Sequence, residues 1–147
     1  QAYTWTGGRA IFASGSPFPP VNMGNTTFVP GQANNVYIFP GVGLGVTASE
    51  STRVTDEMFA AAARSVEEKV TKEDFDQGRI FPSLSRIREV SLHIAIAVAK
   101  IAYARKLTTM TEPDNLPGFI RSKMYDPVYH SYVAAKKQKR GRTSRKT

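Results

Sequence analysis

The sequence predicts an α/β protein that is mostly helical and has one or two short strands near its start. Apolar residues recur at helical spacing over most of the chain after Ser51. A short apolar run between Gly8 and Ser16 ends in a Gly-Ser turn, which is typical of a buried strand. Residues 16–31 separate these two parts with four prolines and two glycines. A length of 147 residues suits one domain.

The first elements are expected to be extended. Small residues and a bounded length predict a buried strand over residues 9–14, within GRAIFAS. In the loop that follows, a hairpin is expected to pair residues 21–23 with residues 27–29 across Gly24 and Asn25. A single buried strand needs a partner, so either loop residues or a sheet outside this chain must supply one.

The stretch VPGQANNVYIFPGVGLGV predicts a turn into a buried helix. The helix is expected to start near Asn34 and to run past Pro40, because proline is tolerated in a first turn. Gly41, Gly43 and Gly45 would then allow close packing against another backbone. Periodicity alone leaves a strand open here.

Capping signals predict two further helices. Thr55 is expected to be an N-cap, with Asp56 and Glu57 in the first turn. The apolar positions expected on that helix are Met58, Phe59, Ala62, Val66 and Val70. Thr71 with Asp74 indicates a second capping arrangement, for a short helix that ends at Gly78.

The last part of the chain predicts a long buried helix over residues 85–106 and a short one over residues 118–125. The deepest positions expected on the long helix are Ile87, Val90, Ile94, Val98, Ile101 and Ala102. Between Ile94 and Ala99 this helix is apolar nearly all round, which indicates burial.

The net charge of +8 is concentrated at one end of the chain. Residues 134–147 hold seven of the twenty Lys and Arg and no acid, so residues 1–133 carry thirteen bases and twelve acids. We therefore expect a folded segment over residues 1–133 and a basic disordered tail over residues 134–147. The absence of cysteine excludes disulfides and thiol chemistry. No apolar run is long enough to predict a membrane-spanning helix.

The residues indicate no catalytic set in this segment. His93 and His130 have no Ser, Asp or Glu at the spacing of a triad or a metal site. The adjacent acid pairs are expected at helix starts or on outer faces. The GVGLGV stretch lacks the GxGxxG fingerprint, so packing is the favoured interpretation.

The adjacent amides Asn34 and Asn35 are the candidate binding residues. N-capping would account for one asparagine but leaves the second unexplained. Placed at a helix start, two amides and free N–H groups could bind a carboxylate. Capping and ligand contact both remain open on this reasoning.

Four blocks resemble the carboxyl-terminal part of malic enzymes, in that family's order: GRAIFASGSPF, VPGQANNVYIFPGVGLGV, GRIFPSLSRIREVSLHIA and SKMYDPVYHSY. The resemblance covers residues 1–133 and implies the carboxyl-terminal portion of a Rossmann-like NAD(P)-binding domain with trailing helices. It implies oxidative decarboxylation of malate to pyruvate and CO₂, with NAD or NADP and with Mg²⁺ or Mn²⁺.

The resemblance also implies roles for individual residues. Asn34 stands at the family's malate-contacting asparagine, and Asn35 lies in or beside the same pocket. Gly15 and Ser16 stand in a turn on the nicotinamide side. The family's general acid Tyr, general base Lys, acidic metal ligands and glycine-rich fingerprint precede the matched region. We therefore expect this chain to be a carboxyl-terminal fragment that is inactive alone. The resemblance also implies that the full-length enzyme is a homo-oligomer and is intracellular, in the cytoplasm or the mitochondrion.

Two alternatives remain open at this point. The chain could be a nucleic-acid-binding module that uses the basic tail, or a non-enzymatic helical interaction domain whose asparagine pair is only a cap. The net charge of +1 over residues 1–133 argues against a basic face on the folded segment. We expect no specific nucleic-acid partner and no membrane partner.

Overall fold

The computed structural model describes residues 1–129. The strands are β1 (Ala13–Ser14), β2 (Val21–Met23), β3 (Thr26–Phe28) and β4 (Gly31–Gln32). The helices are α1 (Ala2–Thr6), α2 (Phe39–Ala48), α3 (Asp56–Glu67), α4 (Lys72–Asp76), α5 (Ile87–Ala104) and α6 (Leu116–Lys123). Two 3₁₀ turns, Asn35–Tyr37 and Leu84–Arg86, precede α2 and α5. The expected tail and His130 lie outside the described residues.

The strand predicted over residues 9–14 is formed only by its last two residues. In β1, Ala13 and Ser14 pair in parallel with Gly31 and Gln32 of β4. Loop residues therefore supply the partner that the predicted strand needs. The pairing covers two residues of each strand. Its flanking hydrogen bonds run from Gly31 N to Phe12 O at 2.9 Å and from Ala33 N to Ser14 O at 2.9 Å.

The predicted hairpin is present, but its second strand starts one residue earlier than expected. The two-residue turn at Gly24 and Asn25 places Met23 opposite Thr26, so the strand covers Thr26–Phe28 and not residues 27–29. Val29 leaves the hairpin because its N–H donates to Gln77 O, at 3.1 Å.

The short helix α1 is absent from the sequence prediction. It has no side-chain cap and ends at Gly7, whose φ of 58° only glycine adopts readily. Tyr3 anchors the helix, since its buried ring stacks on Phe28 with centroids 4.7 Å apart. A five-residue helix that is anchored by one aromatic side chain, which also meets Phe12 edge-on, leaves no periodic signal in the sequence.

The helix expected to run past Pro40 is confirmed, although it begins with a 3₁₀ turn. Two of its glycines allow the close packing that was predicted. A Cβ on Gly41 would lie 2.6 Å from Ile94 Cβ, and one on Gly45 would lie 2.7 Å from Ala95 O. Gly43 lies on another side of the helix and has no neighbour within 4 Å, so its predicted packing role is wrong.

The capping predictions for α3 and α4 are confirmed. Thr55 accepts a hydrogen bond from Met58 N, and Thr71 and Asp74 form a reciprocal capping box. Phe59, one of the apolar positions expected on that helix, is 43% exposed. It follows Met58 by about 100° around the helix, and Met58 is the residue that reaches the core. Val70 lies beyond the end of α3.

The last two helices differ from the prediction at their ends. Helix α5 is shorter than residues 85–106, because it begins after a 3₁₀ turn and Lys106 takes a positive φ of 55°. Helix α6 begins at Leu116, two residues before the expected start. The Asn115 side chain accepts from Gly118 N at 3.0 Å, and Pro117 occupies the first turn, where no N–H is needed.

Two apolar clusters form the core on either side of α5. The cluster between α2, α3 and α5 contains Tyr37, Val42, Met58, Ala62, Val66, Val90, Ile94, Val98 and Ala102. The cluster between α2, α5 and α6 contains Ala48, Leu92, Ala95, Ala99, Leu116 and Ile120. Among residues 1–129, no helix is long and apolar enough to cross a membrane.

Candidate functional site

The carboxyl ends of β1 and β4 lie side by side. Because the two strands are parallel, β1 leads into Gly15 and Ser16 where β4 leads into Asn34 and Asn35. Open α/β sheets bind ligands in the crevice beyond the carboxyl ends of their strands. The structure therefore brings together, at the carboxyl ends of these two strands, the four residues that the sequence singled out.

Asn34 is committed to its own chain by two hydrogen bonds. Its Oδ1 accepts from Val36 N at 2.9 Å, which caps the 3₁₀ turn. Its Nδ2 donates to Gly15 O at 3.0 Å, and Gln32 Nε2 donates to the same oxygen at 3.2 Å. One N–H of the Asn34 amide remains for another partner.

Three backbone N–H groups at the asparagine turn are used within the turn, so fewer of the free N–H groups expected at the helix start are available there. The asparagine pair opens a 3₁₀ turn of three residues and lies before the first turn of α2. The N–H of Val36 is taken by the Asn34 side chain. The N–H of Tyr37 donates to Asn34 O at 3.2 Å, and that of Ile38 donates to Asn35 O at 3.0 Å. The tight turn thus uses its own donors.

Asn35 keeps a free amide among the described residues. Its side chain is exposed and makes no hydrogen bond to any other residue in 1–129. It lies at a groove of about 300 Å³ whose wall includes Ile38, Ile80 and Phe81 and whose rim carries Glu67. An apolar groove with a few polar groups is the usual form of a small-molecule site.

Gly15 and Ser16 differ in what they leave available. The Gly15 carbonyl already accepts from two side-chain amides, so it serves to join the two strand ends. Ser16 is exposed and makes no side-chain hydrogen bond within residues 1–129. Its hydroxyl can donate and accept.

The turn that carries the asparagines rests on aromatic residues that the sequence reasoning missed. The buried ring of Tyr37 stacks on Phe81, with centroids 5.5 Å apart. The Tyr37 hydroxyl donates to Pro82 O at 2.5 Å. Burial raises the pKa of Tyr37, while the positive charge of Arg79 opposes that shift, so the hydroxyl stays protonated as a donor. The only sequence feature that could have indicated this support is the position of Tyr37, two residues after the asparagine pair.

The histidine of the described residues, His93, lies apart from this groove. His93 Nε2 contacts Glu68 Oε2 at 2.6 Å, which is a surface pair between α5 and the end of α3. Within the part of the chain that the structure describes, no group of three or more His, Asp or Glu could hold a metal ion. The described residues therefore do not fit the Mg²⁺ or Mn²⁺ that the resemblance implies.

Comparison with known proteins gives a family for this arrangement. Residues 1–103 match the family model described as "Malic enzyme, NAD binding domain". An NADP-dependent malic enzyme of Vitis vinifera is 56% identical over 133 residues, which is 90% of this chain and 22% of that protein. Chloroplastic NADP-dependent malic enzymes of Zea mays and Flaveria trinervia are 50% and 52% identical over the same length.

The chain thus spans about a fifth of the length of the curated relatives that it matches. The family match confirms the α/β, Rossmann-like fold class that the sequence predicted, and the short parallel pair with its helices is a portion of that fold. This chain belongs to the malic enzyme family, and residues 1–103 belong to its NAD-binding domain.

Proposed function

We propose that this chain is the carboxyl-terminal part of an NADP-dependent malic enzyme, which converts malate to pyruvate and CO₂. The observation that carries the proposal is the free Asn35 amide at the carboxyl ends of a parallel strand pair, in a chain of this family. The names of the relatives favour NADP over NAD.

Asn34 and Asn35 are proposed to contact malate with different degrees of freedom. Asn35 offers both amide hydrogens and its carbonyl oxygen, whereas Asn34 offers one hydrogen beyond its bonds to Val36 and Gly15. Neutral amides orient a carboxylate or a hydroxyl without the desolvation cost of a buried charge. Holding malate in one orientation favours the reaction, because fewer encounters are unproductive.

The nicotinamide cofactor is proposed to lie on the β1 side of the crevice, near Gly15 and Ser16. A nicotinamide held there would supply the acceptor for the hydride that malate loses on oxidation. The exposed Ser16 hydroxyl can hydrogen-bond a carboxamide or a ribose there. The bond from Asn34 to Gly15 O couples the malate side of the crevice to the cofactor side.

The remaining machinery is proposed to come from other parts of the full-length enzyme, since the described residues hold no metal cluster. We propose a homo-oligomer whose small-molecule partners are malate and pyruvate. We propose an intracellular compartment, either the cytoplasm or the mitochondrion. The names of several relatives make the chloroplast a third candidate. The basic tail of the nucleic-acid alternative lies outside the described residues.

The test is steady-state kinetics on the full-length enzyme that carries this segment. We expect malate-dependent reduction of NADP with Mg²⁺ or Mn²⁺ and release of pyruvate in equal amount. NAD in place of NADP tests the nucleotide preference. Absence of malate-dependent reduction with either nucleotide, in protein that is folded by circular dichroism, would overturn the proposal.

A further inference from the structure

We propose that Arg79 is a positioning residue for the proposed malate site, because its ion pair with Asp74 holds the loop that supports the asparagine turn. This inference rests on the proposed function of Asn34 and Asn35. Arg79 lies after α4, and the turn lies before α2, so the two are distant in sequence and joined only by tertiary contacts.

The ion pair is enclosed by the fold. Arg79 Nη2 lies 2.7 Å from Asp74 Oδ1, and the two side chains are only 19% and 5% exposed. Asp74 Oδ2 accepts from the N–H and the hydroxyl of Thr71, at 3.0 and 2.8 Å. Both carboxylate oxygens are therefore used, which fixes the direction in which Asp74 holds the guanidinium.

Arg79 depends on this partner. Its Nε is buried and has no hydrogen-bond partner among residues 1–129, and Asp74 is the carboxylate that balances its charge there. The backbone N–H of Arg79 also donates to the backbone carbonyl oxygen of Asp74, at 2.8 Å. Side chain and backbone of Arg79 thus attach the start of the loop over residues 79–82 to α4.

The loop then contacts the asparagine segment at two places. Phe81 packs against Gly31 of β4, where a Cβ would lie 3.6 Å from Phe81 Cδ2. Phe81 also stacks on Tyr37, and Pro82 O accepts from the Tyr37 hydroxyl. Gly31 and Tyr37 stand on either side of Asn34 and Asn35, so the loop holds both ends of the segment that carries them.

The orientation of Asn35 depends on this loop, because no other described residue holds its side chain. Its side chain has no hydrogen bond within the described part of the chain, so its position depends on the backbone of the turn. A loop that is free to shift would move this backbone and leave the amide in several orientations. An amide in several orientations makes a weaker hydrogen bond to malate, so the loss is expected in KM for malate rather than in kcat.

The experiment uses Arg79→Lys, Asp74→Asn and Tyr37→Phe in the full-length enzyme. Lysine keeps the charge but loses the planar fork, and Tyr37→Phe deletes only the hydroxyl bond to Pro82. We expect KM for malate to rise about tenfold in Arg79→Lys, with kcat within about twofold and KM for NADP unchanged. Hydrogen exchange of residues 31–38 should become faster in all three variants.

Thr55→Ala is the matched control, because it removes the cap of α3 away from this loop. It should lower the melting temperature while leaving KM for malate and exchange of residues 31–38 unchanged. Exchange that stays unchanged in Arg79→Lys would overturn the supporting role of the ion pair. A different result would be faster exchange in Arg79→Lys with an unchanged KM for malate, together with normal kinetics in Asn35→Ala. That result would overturn the proposed malate contact, and the positioning role of the loop would fall with it.

Discussion

The two asparagines differ in the hydrogen bonds that their side chains make. Asn34 closes the turn through Val36 and joins it to the end of β1 through Gly15, whereas Asn35 makes no side-chain hydrogen bond within residues 1–129. Under the proposed function, Asn34 combines the cap with one remaining amide hydrogen, whereas the whole Asn35 amide is available to malate.

Asn35→Ala is predicted to affect catalysis without affecting stability. A hydrogen bond to a charged group contributes about 1.5–3 kcal/mol, so kcat/KM for malate should fall roughly 10–150-fold. The melting temperature should stay within about 1 °C, because no internal bond is lost. Asn22→Ala, in the exposed hairpin, is the control and should leave kcat/KM unchanged. A normal kcat/KM in Asn35→Ala would contradict the substrate role.

Asn34→Ala is predicted to lower both quantities. It removes a cap, which costs about 1 kcal/mol, and it also removes the amide that is proposed to contact malate. We expect a lower melting temperature and a fall in kcat/KM of roughly 10–150-fold in the full-length enzyme. Near-normal kcat/KM with a lowered melting temperature would show that Asn34 is only a cap.

At the scale of elements, the site depends on how closely α2 approaches α5. Gly41 and Gly45 bring the two backbones together, since any side chain there would collide with α5. The asparagine turn is continuous with α2, so the position of this helix sets the position of the turn. The buried faces of α2, α3 and α5 share one core cluster with Tyr37.

Gly45→Ala and Gly43→Ala are predicted to change stability in opposite directions. The new Cβ at position 45 would lie 2.7 Å from Ala95 O and 2.8 Å from Val98 Cβ, and such overpacking typically costs about 1–3 kcal/mol. At position 43 the Cβ meets nothing within 4 Å, so alanine should stabilise the helix by about 0.5–1 kcal/mol. Urea unfolding of the two variants measures this, and equal effects would contradict the packing.

The surface pair between α3 and the end of α5 is predicted to make stability depend on pH. Two hydrogen bonds from Arg105, both 2.8 Å long, hold the pKa of Glu57 below its usual range. Because the folded pKa is below the unfolded one, the stabilisation is present above the unfolded pKa and is lost as pH falls through the folded value.

The corresponding variant is Glu57→Gln. Its melting temperature should lie below that of the parent protein at pH 7, and the difference should shrink as pH falls below about 4, the ordinary range of a glutamate. Arg105→Gln should show the same trend, because it removes the same pair. A difference that stays constant from pH 7 to pH 3 would rule out this pair as its source.

At the scale of the whole molecule, the described segment exposes an apolar surface near the start of the chain. A cavity of about 570 Å³ near the start of the chain is lined by aromatic residues, including Trp5, which is 78% exposed. Parallel sheets are normally covered on both faces, and here the parallel sheet has two strands.

The 147-residue chain alone is predicted to have no malic enzyme activity. Its described residues contain no group that could hold a divalent metal, and the resemblance places the catalytic acid and base elsewhere in the enzyme. Spectrophotometric assays with malate, Mn²⁺ and either nucleotide should show no reduction above the protein-free rate. Malate-dependent reduction by the purified chain would refute the prediction.

The sequence alone determined the features that depend on local chemistry. The caps at Thr55 and Thr71, the helix through Pro40 and the hairpin at Gly24 follow from side-chain hydrogen bonds and backbone preferences within a few residues. Recognition of the family also came from the sequence, because its blocks are contiguous. The residues of the candidate site could be named for the same reason.

Only the tertiary structure decided which of these residues are free and what holds them. The bond from Asn34 to Gly15, the pairing of β1 with β4 and the support of Tyr37 by Phe81 join residues that are far apart in the chain. The exposure of Phe59 and the burial of Asp74 likewise depend on how neighbouring elements pack. Local pattern carries no information on such contacts, because their energy arises from partners that only folding brings within reach.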